Sequence, residues 1–238
     1  MRWNDGEQPL GPHNFVFQTL RAAWDNLPQL LLGMIWLNLC LAPSFVLALL
    51  GLGGPATVAG VLLAAPGWVA LQYVQGQMVQ GKAVPSLDLL RSFRRFWSPS
   101  VHLAALAFVL PAVTYLAVVA SGSAARAGGD PTVAATDPAT IVLVVGTVAG
   151  LLVAGLLILY TAPLLVLYKQ DLRTLLRNSV VLSARHITNT LGMVALAVLC
   201  GFLVARLNSG LLFVLPALYG MFVVNNCRLV LQQEEHPL

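Results

Sequence analysis

The stretch NLPQLLLGMIWLNLCLAPSFVLALLGLGGPATVAGVLLAAPGWVALQYVQGQMVQG, residues 26–81, contains no Asp, Glu, Lys or Arg. As a single helix it would run roughly 80 Å at 1.5 Å per residue. A bilayer core is only about 30 Å thick and is crossed by about 20 residues. The stretch therefore predicts two membrane spans, near 29–51 and 55–78. GLGGPATVAG (51–60) separates them, because Gly-Gly-Pro is a turn signal.

The rest of the chain fits a lipid solvent. Of 238 residues, 58% are hydrophobic and 9% charged, against about a quarter charged in a soluble domain. Mean hydropathy is +0.81. A soluble bundle would have to bury apolar runs of 18 or more residues, which globular proteins rarely do. Further spans are expected near 101–121, 141–168, 188–205 and 209–227, with SGSAARAGGDPTVAATDPAT (121–140) as a loop. The fourth is longer than a bilayer requires, so tilt or a kink at Pro163 is expected. The fold class predicted is an all-α polytopic transmembrane bundle of six spans in one domain, 1–238.

Basic residues orient it. With the N-terminus in the cytoplasm, Arg2, Arg21, Lys82, Arg91, Arg94, Arg95, Lys169, Arg173, Arg177, Arg185 and Arg228 lie inside, and only Arg126 and Arg206 outside. Eleven against two is a strong positive-inside bias. It predicts a cell-membrane protein with both termini cytoplasmic. The first 28 residues hold no apolar core of a signal peptide, so the first span is expected to direct insertion.

DLLRSFRRFW (88–97) concentrates three arginines and three aromatics. Read as a helix over 86–97 capped by Ser86, it places Leu89, Leu90, Phe93, Phe96 and Trp97 on one face. Arg91, Arg94 and Arg95 fall on the flank. This is the pattern of a helix in the headgroup plane, its arginines reaching lipid phosphates, and Ser98-Pro99 is expected to end it. FVFQTLRAAWDNL (15–27) and DLRTLLRNSVVLSARHI (171–187) repeat the pattern, the latter with Arg173 and Arg177 as headgroup contacts. The chain then reads as three units, 12–80, 84–168 and 170–231, each an amphipathic helix followed by two spans. LGMIWLNLC (32–40) and LGMVALAVLC (191–200) occupy matching places. Three arginines make no basic stripe, and their cytoplasmic side already accounts for them, so no nucleic-acid partner is expected.

Chemistry is sparse. No phosphate loop, HExxH, GxSxG or dinucleotide fingerprint occurs. Cys40, Cys200 and Cys227 lack metal or disulfide spacing and read as small core residues. His102 and His186 each precede a span and read as interfacial. A headgroup-level enzyme built on them would lack a nucleophile–base pair. No cofactor or metal is expected. No predicted span carries a charge near its middle, which argues against an ion-driven pump. The polar candidates within spans include Gln72, Gln75, Thr161 and Tyr219. Asn38, Tyr160, Asn225 and Asn226 are the candidate polar interior, each with interhelical hydrogen bonding as its simplest role. Small residues at Ala56, Gly60 and Ala64, and at Gly146, Gly150 and Ala154, allow close helix approach, within the monomer or between two copies.

APGWVALQYVQGQMVQGKAVPSLDLLRSFRRFW (65–97) runs from a Pro early in a span, through small and aromatic residues, to a Gly at the exit and a Ser-initiated Phe/Arg helix. LLRNSVVLSARHITNTLGMVAL (175–196) is a basic helix, a His, then a span. This order resembles the YesL-like family of bacterial membrane proteins. The resemblance covers most of the chain in layout and is specific over these two stretches. A departure is GGPATVAG, which lies before Pro66. The family has no established activity. Its association with carbohydrate uptake implies an accessory role beside a transporter component and transfers no functional residue. The expectation is a non-enzymatic accessory or scaffold whose partners are membrane lipids and a membrane protein or a second copy. The alternative is a small-solute transporter or channel with a neutral midplane site.

Overall fold

A computed structural model of the chain describes residues 15–82, 84–85, 87–127, 155, 159–168, 171–207 and 209–235. All regular structure among them is helical. In order these are α1 (Phe15–Asp25), α2 (Leu27–Leu49), α3 (Gly53–Ala59), a π-helical turn (Gly60–Ala64), α4 (Ala65–Val79) and α5 (Asp88–Ala127). A helical segment at 159–167 follows. Then come α6 (Leu172–Arg185), α7 (Ile187–Arg206), a 3-10 turn (Ser209–Phe213) and α8 (Leu215–Glu235).

Among the described residues, three helices are long and apolar enough to cross a membrane: Leu27–Leu49, the continuous rod Gly53–Val79, and Ile187–Arg206. They coincide with the expected first, second and fifth spans. The expected third lies inside α5. The expected fourth falls largely outside the described residues, and its described part is helical straight through Pro163. The expected sixth is divided between the 3-10 turn and α8, and α8 falls short of the apolarity of the other three.

The break in the opening stretch is sharper than GLGGPATVAG indicated. Gly51 alone takes a left-handed backbone, φ 76°. Its N–H bonds to Ala48 O and that of Leu52 to Leu47 O, the paired bonds of a Schellman stop. Gly53, Gly54 and Pro55 are already in the next helix, where a proline in the first turn loses no intrahelical bond. Gly81, φ 68°, ends α4 in the same way, with Gly81 N–H on Met78 O and Lys82 N–H on Gln77 O.

Pro66 shapes the rod between these stops. A proline cannot donate to the carbonyl four residues back, so Leu62 O loses its usual partner. A π-helical turn precedes it, with Ala65 N–H on Gly60 O. The indole of Trp97 on α5 donates to Leu62 O at 3.0 Å. A neighbouring helix thus supplies what the proline removed.

Ser98-Pro99 does not end the helix that begins at Asp88, contrary to the expectation from the sequence. α5 runs unbroken for 40 residues, and Ser86 lies outside the described residues. An interior proline costs about 3 kcal/mol, but both sides of Pro99 are clamped to one core. Phe93 meets Trp36 edge-on at 5.5 Å between centroids, and Phe96 meets Tyr73 at 5.7 Å. Leu103 packs against the cluster that holds Phe96. Ser100 Oγ donates to Phe96 O at 2.6 Å and the His102 ring to Ser98 O at 2.7 Å. The face assigned to lipid is therefore divided: Leu89 and Phe96 are buried, Phe93 is half-buried, and Leu90 and Trp97 stay exposed.

Two cores meet at α8. One joins Leu30, Met34 and Leu37 of α2, Leu71, Val74 and Met78 of α4, and Ala217 and Met221 of α8. The other joins Val69, Phe96, Tyr160, Leu164, Leu175, Val223 and Cys227. Every residue from 223 to 230 is buried, so this part of α8 is enclosed on all sides. Among the described residues, the apolar surfaces left uncovered include the outer faces of α2 (Ile35, Leu39, Phe45, Leu49) and α7 (Leu191, Val198, Phe202). Helices apolar on every side are the mark of a lipid environment.

Glycine sets the spacing of α2 and α4. A Cβ on Gly67 would stand 2.9 Å from Cys40 Cβ and Sγ, and one on Gly33 would meet Leu71 Cδ1. The Ala56–Gly60 small-residue face also packs within the monomer. Ser44 Oγ donates to Ala56 O at 2.6 Å and lies 3.1 Å from where a Gly60 Cβ would be. The stripe at Gly146, Gly150 and Ala154 falls outside the described residues. Gly67→Val is expected to lower stability by about 1–3 kcal/mol through overpacking, read as a drop in thermal midpoint in detergent. Gly201→Ala, with open space around it, is the control and should match or exceed the parent.

Candidate functional site

The enclosed stretch of α8 carries the densest buried polarity in the described residues. Asn225, Asn226 and Arg228 lie within four successive positions, all at most 5% exposed, and each addresses a different neighbour. A helix turns 100° per residue, so successive side chains point to separate helices.

Asn225 Nδ2 donates to Thr19 Oγ1 at 2.7 Å, and Thr19 donates onward to Phe15 O at 2.8 Å. This chain ties α8 to α1. Asn226 lies within hydrogen-bonding reach of the Tyr160 hydroxyl. Thr190 Oγ1 donates to His186 O at 2.9 Å, leaving its lone pairs to accept from Tyr160 OH at 3.2 Å. That chain joins the 159–167 segment to α7. Arg228 Nη1 donates to Val79 O at 3.0 Å. Val79 is the last residue of α4, where orphan carbonyls and the helix dipole favour a cation. A buried charge is tolerated there because the helix end answers it.

A fourth tie runs from α4. Gln75 Nε2 donates to Ala217 O at 2.6 Å. Gly220 makes the approach feasible, since a Cβ there would lie 2.7 Å from Gln75 Oε1 and 3.2 Å from Trp68 Cη2. Beside it, Gln72 is buried, and neither atom of its amide has a protein partner among the described residues. The same holds for Gln75 Oε1, Asn225 Oδ1, Ser179 Oγ and Ser183 Oγ.

Chemically the cluster offers amides, hydroxyls and one guanidinium. No group of three or more His, Cys, Asp or Glu able to hold a metal comes together among the described residues. Such a set binds by hydrogen bonding and holds helices in register.

The structure brings Tyr160 and Asn226 together and places Asn225 on the adjoining face. Asn38 does not join them. It is half-buried, and its Nδ2 turns back to Met34 O at 2.8 Å within α2. A lone amide on a helix satisfies itself most cheaply on its own backbone. Arg91, Arg94, Arg95, Arg173 and Arg177 are all exposed. Arg91 sits 3.6 Å from Asp88 and Arg95 lies over the Phe96 ring at 5.2 Å. Thr19, Ser179, Ser183 and Thr190 were not anticipated. The available signal was small hydroxyl or Ala residues four apart on amphipathic helices, Thr19/Ala23 and Ser179/Ser183.

No protein-family model, no curated protein and no solved structure matches the chain.

A double-mutant cycle on Asn225→Leu and Thr19→Val should return a coupling of about 0.6 kcal/mol and no more than about 1.7, the average and the maximum for hydrogen bonds between membrane helices. Unfolding in mixed micelles measures it. Asn38→Leu, whose bond is local, should show no coupling with Thr19→Val.

Proposed function

We propose that the chain is a six-span protein of the cell membrane, built as three units and acting as a non-enzymatic accessory or scaffold beside another membrane component. By its resemblance to YesL-like proteins, that component is a carbohydrate transporter. The single observation that carries this reading is the use made of the interior polar groups. Asn225, Tyr160, Gln75 and Arg228 each bond across to another element, which holds a bundle in one arrangement.

The three-unit arrangement is supported by the placement of buried residues. Thr19, Ala23, Leu30 and Gly33 of α1–α2 are buried, and so are Ser179, Ser183, Thr190 and Met193 of α6–α7. Each pair is separated by the same 160 positions, as are the turns at Asn26 and His186. This register is one residue away from the letter match of the two LGM stretches. In α5, Ser92 and Phe96 are buried at the same four-residue spacing. Ser92 Oγ donates to Asp88 O at 2.6 Å as Thr19 does to Phe15 O. TLRAAW (19–24) and SFRRFW (92–97) follow one pattern. The exposed apolar residues of α1, Phe17, Leu20 and Trp24, suit a helix lying in the inner headgroup layer.

A second reading, a small-solute transporter with a neutral site, draws on Gln72. The residue is 1% exposed, and its amide has no protein partner among the described residues.

Two measurements separate these. Affinity purification in mild detergent should recover a membrane partner under the accessory reading, and recovery of the chain alone counts against it. Solute flux in proteoliposomes that is lost in Gln72→Leu would establish the transporter reading instead. Reporter fusions at both ends should report cytoplasm and one inserted after Ala127 the outside. A split result for the two ends would overturn the six-span topology.

A further inference from the structure

Between α3, the π-helical turn and the start of α5 lies an open groove of about 800 Å³, lined by Pro55, Val58, Ala59, Leu62, Leu63 and Trp97. Its lining is apolar. Trp97 forms one wall and is pinned there by its bond to Leu62 O. Three residues earlier on the same face of α5 stands Arg94; Arg91, three earlier again, neighbours Arg94 but lies about 120° around the helix from Trp97. Both are exposed. Arg94 makes no ion pair among the described residues, and Arg91 is held only by Asp88 at 3.6 Å. Arg95 is turned over the Phe96 ring.

We propose that this groove and Arg94 with Arg91 form a discrete site for one anionic phospholipid. The acyl chain lies along Val58, Leu62 and Leu63 against Trp97, and the phosphate is held by the two guanidinium groups. The order along the protein, two cations and then an apolar trough, is the order along the lipid, head and then tail. A guanidinium matches a phosphate's paired acceptors with parallel donors. A zwitterionic headgroup brings its own cation, which competes with the arginines, so the anionic lipid is preferred. A second copy of the chain is a poorer occupant. Its uncovered apolar helices α2 and α7 carry no carboxylate to meet Arg94. The inference rests on the chain lying in a bilayer and is independent of the accessory role.

The full-length protein is reconstituted in phosphatidylcholine vesicles containing a minor fraction of either brominated phosphatidylglycerol or brominated phosphatidylcholine. The difference between the parent and Trp97→Phe isolates the Trp97 emission. Bromine on the glycerol lipid should quench it with a preference of roughly fivefold per arginine over the choline lipid. Arg94→Gln with Arg91→Gln should abolish the preference, and Arg94→Lys should retain part of it. Equal quenching by both lipids, or a preference unchanged in the double variant, overturns the site. Quenching of the other tryptophans but not of Trp97 overturns it too, because protein then fills the groove. No quenching of any tryptophan sinks the membrane reading itself. Should Trp97→Phe not fold, mass spectrometry of lipids retained by the purified parent and double variant tests the same preference. Enrichment of phosphatidylglycerol in the parent alone supports the site, and equal retention overturns it.

Discussion

A peptide group without its hydrogen bond has no water to turn to inside an apolar bundle, and an unmet one costs several kcal/mol. The consequences are visible at Pro66 and Pro99. Pro66 leaves Leu62 O short of a donor, and the indole of Trp97 is brought from another helix to answer it. Pro99 would do the same to Arg95 O, and there the helix is kept intact by aromatic packing below and hydroxyl and imidazole bonds beside it. A helix break that would be cheap in water becomes expensive here. This accounts for a 40-residue α5 where composition alone indicated two elements.

The same constraint explains why polarity collects on α8. Side chains that would be solvated in a soluble protein find protein partners here, and those of Asn225, Gln75 and Arg228 tie other helices to the most enclosed one. Glycines make the convergence sterically feasible. Gly220 lets Gln75 reach the α8 backbone, Gly76 lies 3.5 Å from Val224 at the position a Cβ would take, and Gly67 seats α4 on Cys40. Close backbone approach and polar ties reinforce one another, as expected where apolar burial between helices gains little over lipid contact.

The arginine-rich start of α5 combines two roles that sequence patterning treats as one. An amphipathic face has no label saying which apolar surface it meets. Leu89 and Phe96 meet the bundle, while Leu90, Trp97 and the arginines face outward. Trp97 therefore both completes the backbone of the neighbouring rod and walls the apolar groove beside Arg94.

Much of this was legible in the residues themselves. Fifty-six successive positions without a charge, 26–81, require two membrane-length helices, and periodicity located α1 and α6 to within two residues. Tyr160, Asn225 and Asn226 could be picked out because amides and phenols are conspicuous in apolar runs. What sequence could not decide was which polar groups meet, since Thr19 and Asn225 are 206 positions apart and nothing in either neighbourhood points to the other. Nor could it show that Asn38 bonds its own helix, that Gly51 rather than Gly-Gly-Pro makes the turn, or that Pro99 is bridged. Solvent preference is a property of each residue and is written along the chain. Partner choice depends on helices packing side by side, and only the tertiary structure sets that geometry.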